Sequence, residues 1–370
     1  MFRKLKGQEQ SIGLLQKAIE NNKIAQAYLF YGNDGVGKFI SALYFGMALN
    51  CGAINQLKPC GVCPSCHKFL CLEHPDLHYV FPTPNLNLSL DGEIKNADAL
   101  KQYQAYLQNK IKTPWLDFFF KESTEIRKES ITYLIKKLEL SAHEARYRIV
   151  IIENAEMMNV ATANSFLKTL EEPPENTVVI LITERPQKML STIISRTQQV
   201  YFKPLARNVI KDILCSQFEI EETKARTAAR IGGGNLKNAI RIASENDSVM
   251  RNWAFDLIDA AARKDDLGLF GLLDKYKELQ KKDTVGDLLK YIRIIVGDLN
   301  ILNIDDRAEI TSIDRLDYLN SLLQNENSLD EKVLDYLLFL EDLNRKVEGN
   351  GNLFLIMINL YLQTKYLLSA

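Results

Sequence analysis

The segment Gly32-Asn33-Asp34-Gly35-Val36-Gly37-Lys38-Phe39 brings together the residue types that hold a phosphate. Glycines let backbone N–H groups wrap an anion, and a lysine adds a positive charge beside its outer oxygens. The string matches G-x-x-x-x-G-K and departs only at the next position, where a hydroxyl normally reaches Mg²⁺ and Phe39 offers a ring instead. A glycine turn with a chance lysine is the alternative. The apolar run before the loop and the helical pattern after it supply the context a phosphate loop requires. A second acidic position points the same way as Phe39. The run Tyr147–Ile152 leads into Glu153-Asn154, where a hydrolysing ATPase of this type carries Asp-Glu. Glu153 can reach a metal with altered geometry, but Asn154 cannot take a proton from an attacking water. Glu156 is a nearby carboxylate, read either as a displaced base or, more simply, as a solvated side chain.

The second constellation is Cys51-x8-Cys60-x2-Cys63-x2-Cys66, four thiols in a turn-rich stretch containing Pro59, Gly61 and Pro64. Four sulfurs satisfy tetrahedral Zn²⁺ with no open position, so the expected role is structural. His67 and Cys71 lie beside them as reserve ligands, and Cys215 reads as a small core residue.

The elements that must position these groups are legible as apolar runs. Ala27–Tyr31 (AYLFY) reads as a buried strand entering the phosphate loop, and Tyr147–Ile152 and Thr177–Ile182 are two more, rich in β-branched residues. Ala161–Leu170 has helical spacing and stops before Pro173-Pro174. Strands alternating with helices predict a parallel α/β sheet within about the first 200 residues. Short helical patterns follow around Gly232-Gly233-Gly234-Asn235, and from Val249 onward the spacing is helical throughout. The expected division is therefore 1–204, 205–246 and 247–370. The longest apolar tract, Asn352–Leu362, is too short to cross a bilayer and reads as a buried helix.

The 370 residues carry 46 Lys+Arg against 47 Asp+Glu, a net charge of −1, and 46% are apolar. That composition excludes a polycation that coats nucleic acid and excludes a disordered chain. The opening MFRKLKGQEQ has no apolar stretch after its basic residues, so a cytoplasmic protein is expected.

Taken together, these blocks resemble the bacterial clamp-loader AAA+ family. The likeness is carried by Gly7-Gln8, by AQAYLFYGNDGVGK (25–38) with Gln26 where a His is common, and by the four-cysteine module. It continues through Ile126-Arg127 opening an amphipathic helix, the degenerate acidic strand, SFLKTLEEPP (165–174) and Ser195-Arg196-Thr197. The resemblance implies an α/β P-loop domain, a small helical lid and an all-helical C-terminal collar. It implies a hetero-pentameric ring with motor and delta subunits that places a sliding clamp on primed DNA. Within that ring this chain resembles the stator that does not hydrolyse ATP, with weak or absent ATP binding and no polymerase activity of its own. Arg196 stands where family members donate an arginine finger to a neighbour's nucleotide, with Thr197 replacing Cys. Thr183 stands at the first sensor position, and Lys237 replaces a sensor arginine. The bland alternatives are a solvated arginine and a strand-end hydroxyl.

Residues 81–120 have no counterpart in that resemblance and read as an insertion. Between Lys101 and Lys137 there are 8 basic and 4 acidic residues, interleaved with Tyr103, Tyr106, Trp115 and Phe118 to Phe120. Such a stretch suits DNA or a partner, but a helix covering the core with a solvated outer face is the simpler expectation. Two rival functions remain. An active ATPase motor would use Glu153 to hold Mg²⁺, against Phe39 and Asn154. A nucleotide kinase with a zinc-stapled lid would leave LKTLEEPP and Ser-Arg-Thr unexplained.

Overall fold

The computed structural model describes residues 5–369 except 54–57, 87, 90–91, 116–119, 121, 244–246, 278–280, 306–309, 324–328 and 350. Phe118 and Phe119 thus lie outside the described residues. The chain divides into two compact units, residues 1–210 with 234–237, and residues 211–233 with 238–370.

The first unit runs α1 (Glu9–Glu20), β1 (Ala27–Tyr31), α2 (Lys38–Asn50), α3 (Pro64–Leu70), β2 (Leu77–Val80), α4 (Ala97–Lys112), α5 (Lys128–Glu139), β3 (Arg148–Ile152), α6 (Val160–Glu171), β4 (Thr177–Thr183), α7 (Ser191–Ile194) and β5 (Gln198–Tyr201). The five strands form one parallel sheet in the order β2-β3-β4-β1-β5. Side chains alternate across it. Tyr28, Phe30, Ile149, Ile151 and Ile180 pack with Leu15, Phe45, Met47 and Phe69 on one face. Leu29, Val150, Ile152 and Leu181 pack with Leu134, Phe166 and Leu170 on the other. Every residue of β3 and β4 is buried, as expected of central strands covered by helices on both sides. This is the parallel α/β fold of a P-loop protein. The two strands that sequence patterning misses are the edges: β2 is the short LHYV, and β5 is QQVY with three exposed residues.

The sheet order sets β3, β4 and β1 side by side, so their carboxyl ends open onto one edge. In an open α/β sheet that edge is where ligands bind. Tyr31 pairs in register with Thr183, which puts the start of the phosphate loop beside the end of β4.

The remaining helices are α8 (Arg207–Phe218), α9 (Glu222–Ile231), α10 (Leu236–Ala243), α11 (Asp247–Ala262), α12 (Asp266–Lys275), α13 (Lys282–Ile304), α14 (Leu316–Leu323), α15 (Leu329–Glu348) and α16 (Leu353–Leu367). Among the described residues no strand follows β5. Leu288, Leu289, Ile292 and Ile295 of α13 join Leu340 and Leu343 of α15 in one core around Trp253. The expectation of a buried helix at 352–362 is half right. Asn352 caps α16 by accepting from the N–H groups of Phe354 and Leu355, and Ile356, Met357, Leu360 and Tyr361 are buried. Phe354, Leu355, Leu362 and Tyr366 face outward, because the tract is apolar all round while the unit covers only one side. Cys215 is partly buried on α8 rather than a core residue. No described helix is long and apolar enough to cross a membrane.

Candidate functional site

The phosphate loop leaves β1 and enters α2 as the residue spacing requires. Gly32, Gly35 and Gly37 all have positive φ, at 143°, 65° and 93°. A Cβ on Gly32 would lie 2.1 Å from the Phe202 carbonyl oxygen, and one on Gly35 would lie 1.9 Å from Asn235 Oδ1, so both positions need glycine. Lys38 opens α2 and is buried; its Nζ donates to the Gly32 carbonyl at 2.7 Å and to that of Asn33. Burial pulls the Lys38 ammonium below its ordinary range, although Glu184, Asp34, Glu153 and Glu156 oppose the shift.

Around this lysine the structure gathers Asp34 and Glu184, which sequence reading did not single out, with Glu156, Thr183 and Lys237, which it did. Asp34, within the loop, accepts from Lys237 Nζ at 2.6 Å and from the Gly35 N–H at 2.7 Å. Burial works to raise the Asp34 carboxyl, but Lys237 and these donors outweigh it and the net direction is down. Glu184, directly after β4, moves the other way: burial and the nearby Asp34 push it up to about 7. Thr183 is buried at the tip of β4, and its Oγ1 donates to Glu156 Oε2 at 2.7 Å. Glu156 is therefore engaged by the site, which corrects the expectation of a merely solvated side chain. Asn154 takes a left-handed backbone conformation (φ 52°, ψ 50°) that an asparagine tolerates well.

Glu153 faces the loop from the end of β3 and meets α4, a helix within residues 81–120. Its Oε1 accepts from Lys110 Nζ at 2.8 Å, and its Oε2 accepts from the Tyr79 hydroxyl and, at 3.4 Å, from that of Tyr106. The same Lys110 ammonium lies 4.2 Å from the centroid of the Phe39 ring. Tyr79 packs against Phe39, with ring centroids 5.2 Å apart. Phe81 stacks on Tyr106 at 4.0 Å and on Tyr103 at 5.3 Å. Burial, with the Glu153 charge beside it, holds the Tyr79 hydroxyl well above its ordinary pKa, so it stays a donor. The helix expected to cover the core with a solvated outer face does so: Tyr103, Tyr106 and Lys110 turn inward, while Lys101, Gln104, Gln108 and Asn109 are exposed. The three inward residues sit at i, i+3 and i+7 on one face, which is a pattern the sequence displays.

The four predicted cysteines converge. The Sγ atoms of Cys51, Cys60, Cys63 and Cys66 all lie within 4.8 Å of one another, and His67 and Cys71 are not in this group. Cys63 caps α3, and Pro64 follows at its first position. Backbone N–H groups point at the sulfurs: Cys60 to Cys51 at 3.4 Å, Cys63 to Cys60 at 3.4 Å and Cys66 to Cys63 at 3.5 Å. The amides of Val62 and Cys63 draw the Cys60 thiol down to about 6, toward the thiolate that a metal binds. Tetrahedral sulfurs about 2.3 Å from Zn²⁺ stand roughly 3.8 Å apart. The 4.0 Å between Cys60 and Cys66 suits that ion, and an all-thiolate donor set suits it chemically.

Arg196 lies on the surface after α7, apart from these groups. Its Nε donates to Glu171 Oε1 at 2.8 Å and its Nη1 to the Thr192 carbonyl at 2.9 Å.

Comparison with known proteins gives several DNA polymerase III subunits. The chain is 28% identical over 353 residues to the DNA polymerase III subunit delta' of Bacillus subtilis, covering 94% of this chain and 93% of that one. It is 27% identical over 246 residues to the tau subunit of the same organism, covering 65% of this chain but 37% of that longer protein. A solved DNA polymerase III gamma subunit-related protein of Thermotoga maritima aligns over 97% of this chain and 100% of its own, at 16% identity and a TM-score of 0.49. The family model described as DNA polymerase III, delta subunit, matches residues 7–206, more than half of the chain. Because that span takes in the phosphate loop, the cysteine cluster, Glu153 and Arg196, the chain belongs to the DNA polymerase III delta subunit family.

Proposed function

We propose that this chain is the non-hydrolysing stator subunit of a DNA polymerase III clamp loader, working with motor and delta subunits to place a sliding clamp on primed DNA. The observation that carries this reading is the replacement of catalytic parts at one place. Phe39, a ring with no metal-binding atom, and Glu153 meet the same Lys110 ammonium, and Asn154, which cannot act as a base, follows Glu153. The full-length similarity to a delta' subunit supports the same reading.

In this reading Arg196 acts in trans, neutralising charge that develops on a phosphate held by a neighbouring motor subunit. Its surface position suits that role, and the contacts that hold it are an exposed carboxylate, Glu171, and the Thr192 carbonyl. Cys51, Cys60, Cys63 and Cys66 would hold a zinc ion that braces the loop between α2 and α3. Residues 205–246 would form the lid and 247–370 the collar. The outward apolar residues Phe354, Leu355, Leu362 and Tyr366 of α16, with Leu334 and Leu338 of α15, offer the collar a surface to bury against other subunits.

The test is steady-state ATP hydrolysis by the purified chain alone with Mg²⁺, then by the chain mixed with motor subunits. No turnover alone, with Arg196-dependent turnover in the mixture, supports the proposal. Robust hydrolysis by the chain alone would identify it as a motor instead.

A further inference from the structure

A phosphate loop normally holds its divalent cation between the hydroxyl that follows the lysine and the acidic residue at the end of a neighbouring strand. In this chain those two positions are Phe39 and Glu153, and a third side chain stands between them. Lys110 Nζ is 2.8 Å from Glu153 Oε1 and 4.2 Å from the Phe39 ring centroid. The pair is nearly enclosed, with 9% of the Lys110 side chain and 15% of the Glu153 side chain exposed. The second carboxylate oxygen is taken by Tyr79 and Tyr106, so both oxygens of Glu153 are already engaged.

The substitution of Phe for a hydroxyl residue therefore does more than delete a ligand. The face of an aromatic ring attracts an ammonium, and Phe39 presents its face to Lys110. The helix that delivers the lysine is held at its start and along one face. Asn96 caps α4 by accepting from the N–H groups of Asp98 and Ala99, and Tyr103 and Tyr106 stack on Phe81, which follows directly after β2. A divalent cation entering here would have to expel the ammonium, leaving a positive charge buried without its partner, and such a loss is costly.

We infer that Lys110 is a tethered surrogate cation: helix α4 occupies the divalent-metal position of this phosphate loop and excludes Mg²⁺ and Mn²⁺ from it. The inference deepens the non-hydrolysing reading. It concerns metal binding by the isolated chain, so it is tested without nucleotide, partner subunits or Arg196, and either idea can fail while the other stands.

The experiment is Mn²⁺ binding to the full-length chain, followed by the electron paramagnetic resonance of free Mn²⁺, for wild type, Lys110→Ala, Lys110→Arg, Phe39→Ser and the Phe39→Ser/Lys110→Ala double variant. Circular dichroism melting verifies folding of each. Wild type, Lys110→Arg and Phe39→Ser should bind no Mn²⁺ at this site, because each retains a cation on Glu153. Lys110→Ala should gain a site, and the double variant, which adds a hydroxyl ligand, should bind roughly tenfold tighter than Lys110→Ala. Adding Glu153→Gln to the double variant should remove that site. The inference is overturned if Phe39→Ser alone binds as tightly as the double variant, since the missing hydroxyl would then be the whole cause. It is equally overturned if wild type binds Mn²⁺ through Glu153, or if neither folded variant lacking Lys110 gains a site.

Discussion

Arg196 is held by Glu171, the residue that ends α6: Nε lies 2.8 Å from Oε1, and the Glu171 side chain is 47% exposed. An exposed pair of this kind contributes about 0–1 kcal/mol, so it orients the guanidinium without committing it. Arg196→Ala should leave the melting temperature of the chain within error. It should also lower turnover at the one neighbouring site it faces, by a factor on the order of 10³ for a full finger. Glu171→Ala should move turnover the other way by about twofold, since releasing a contact of about 0.5 kcal/mol frees the arginine to reach across. Steady-state ATPase of the reconstituted complex measures both, and unchanged turnover in Arg196→Ala would rule out the finger.

Asp76 ties the entry of β2 to the loop before β3. Its Oδ1 accepts from the His143 N–H at 2.7 Å, and its Oδ2 accepts from those of Glu144 and Ala145 at 2.9 and 2.8 Å. Burial works to raise this carboxyl, and the three amides more than offset it, so it titrates below its ordinary range. A carboxyl with a depressed folded pKa binds fewer protons folded than unfolded just below its unfolded value. Its contribution is therefore complete above about pH 4–5 and is lost as pH falls through the folded pKa. Asp76→Ala should cost roughly 2–3 kcal/mol at pH 7, because three backbone N–H groups lose a charged acceptor. Urea denaturation at pH 7 and pH 3 should show that difference shrinking in acid; a constant difference would show that the charge of Asp76 is not what holds the loop.

How much of this was legible beforehand follows the range of the interactions. Strands β1, β3 and β4 are apolar runs, and local composition is enough to find them. LHYV and QQVY are too short and too polar, and become strands only because β3 and β1 offer them edges to pair with. The same division holds at the site. Lys38 and the four cysteines are set by spacing within one segment, whereas Lys110 and Glu153 are 43 residues apart and Asp34 and Lys237 are 203 apart. The face Tyr103-Tyr106-Lys110 announces an amphipathic helix, but periodicity does not say what that face meets. Phe39 could be read as the loss of a metal ligand; that it also faces a lysine required the fold.

Glu184 carries the opposite charge problem to Asp76. Its carboxyl is pushed up to about 7 by burial and by Asp34 nearby. A carboxyl whose folded pKa exceeds its unfolded value of about 4.3 binds more protons in the folded state, so stability falls as pH rises between the two values. Glu184→Gln should therefore leave stability nearly unchanged at pH 4 and raise it by about 1 kcal/mol or more at pH 8. Guanidinium denaturation at the two pH values measures this. An equal effect at both would mean that packing, not ionisation, governs the position.

Removal of a metal from the cysteine cluster should act on the first unit alone. Cys51 and Cys66 are buried in the same core as Phe45, Phe69 and Ile149, so thiolates released from a metal would repel one another beside that core rather than in water. The chain has two tryptophans, and they fall in different units: Trp115 in the first, and the fully buried Trp253, stacked on Tyr276 at 5.1 Å, in the second. Trp115→Phe thus leaves Trp253 fluorescence as a reporter of the helical unit, while calorimetry follows the whole chain. A loss of about 3 kcal/mol in a unit of this size lowers its melting temperature by roughly 6–12 °C. A strong chelator, or Cys60→Ser, should move one calorimetric transition by that amount and leave the Trp253 transition where it was. If the Trp253 transition moved in step, the two units would unfold as one; if neither moved, the four thiols would not be a structural metal site.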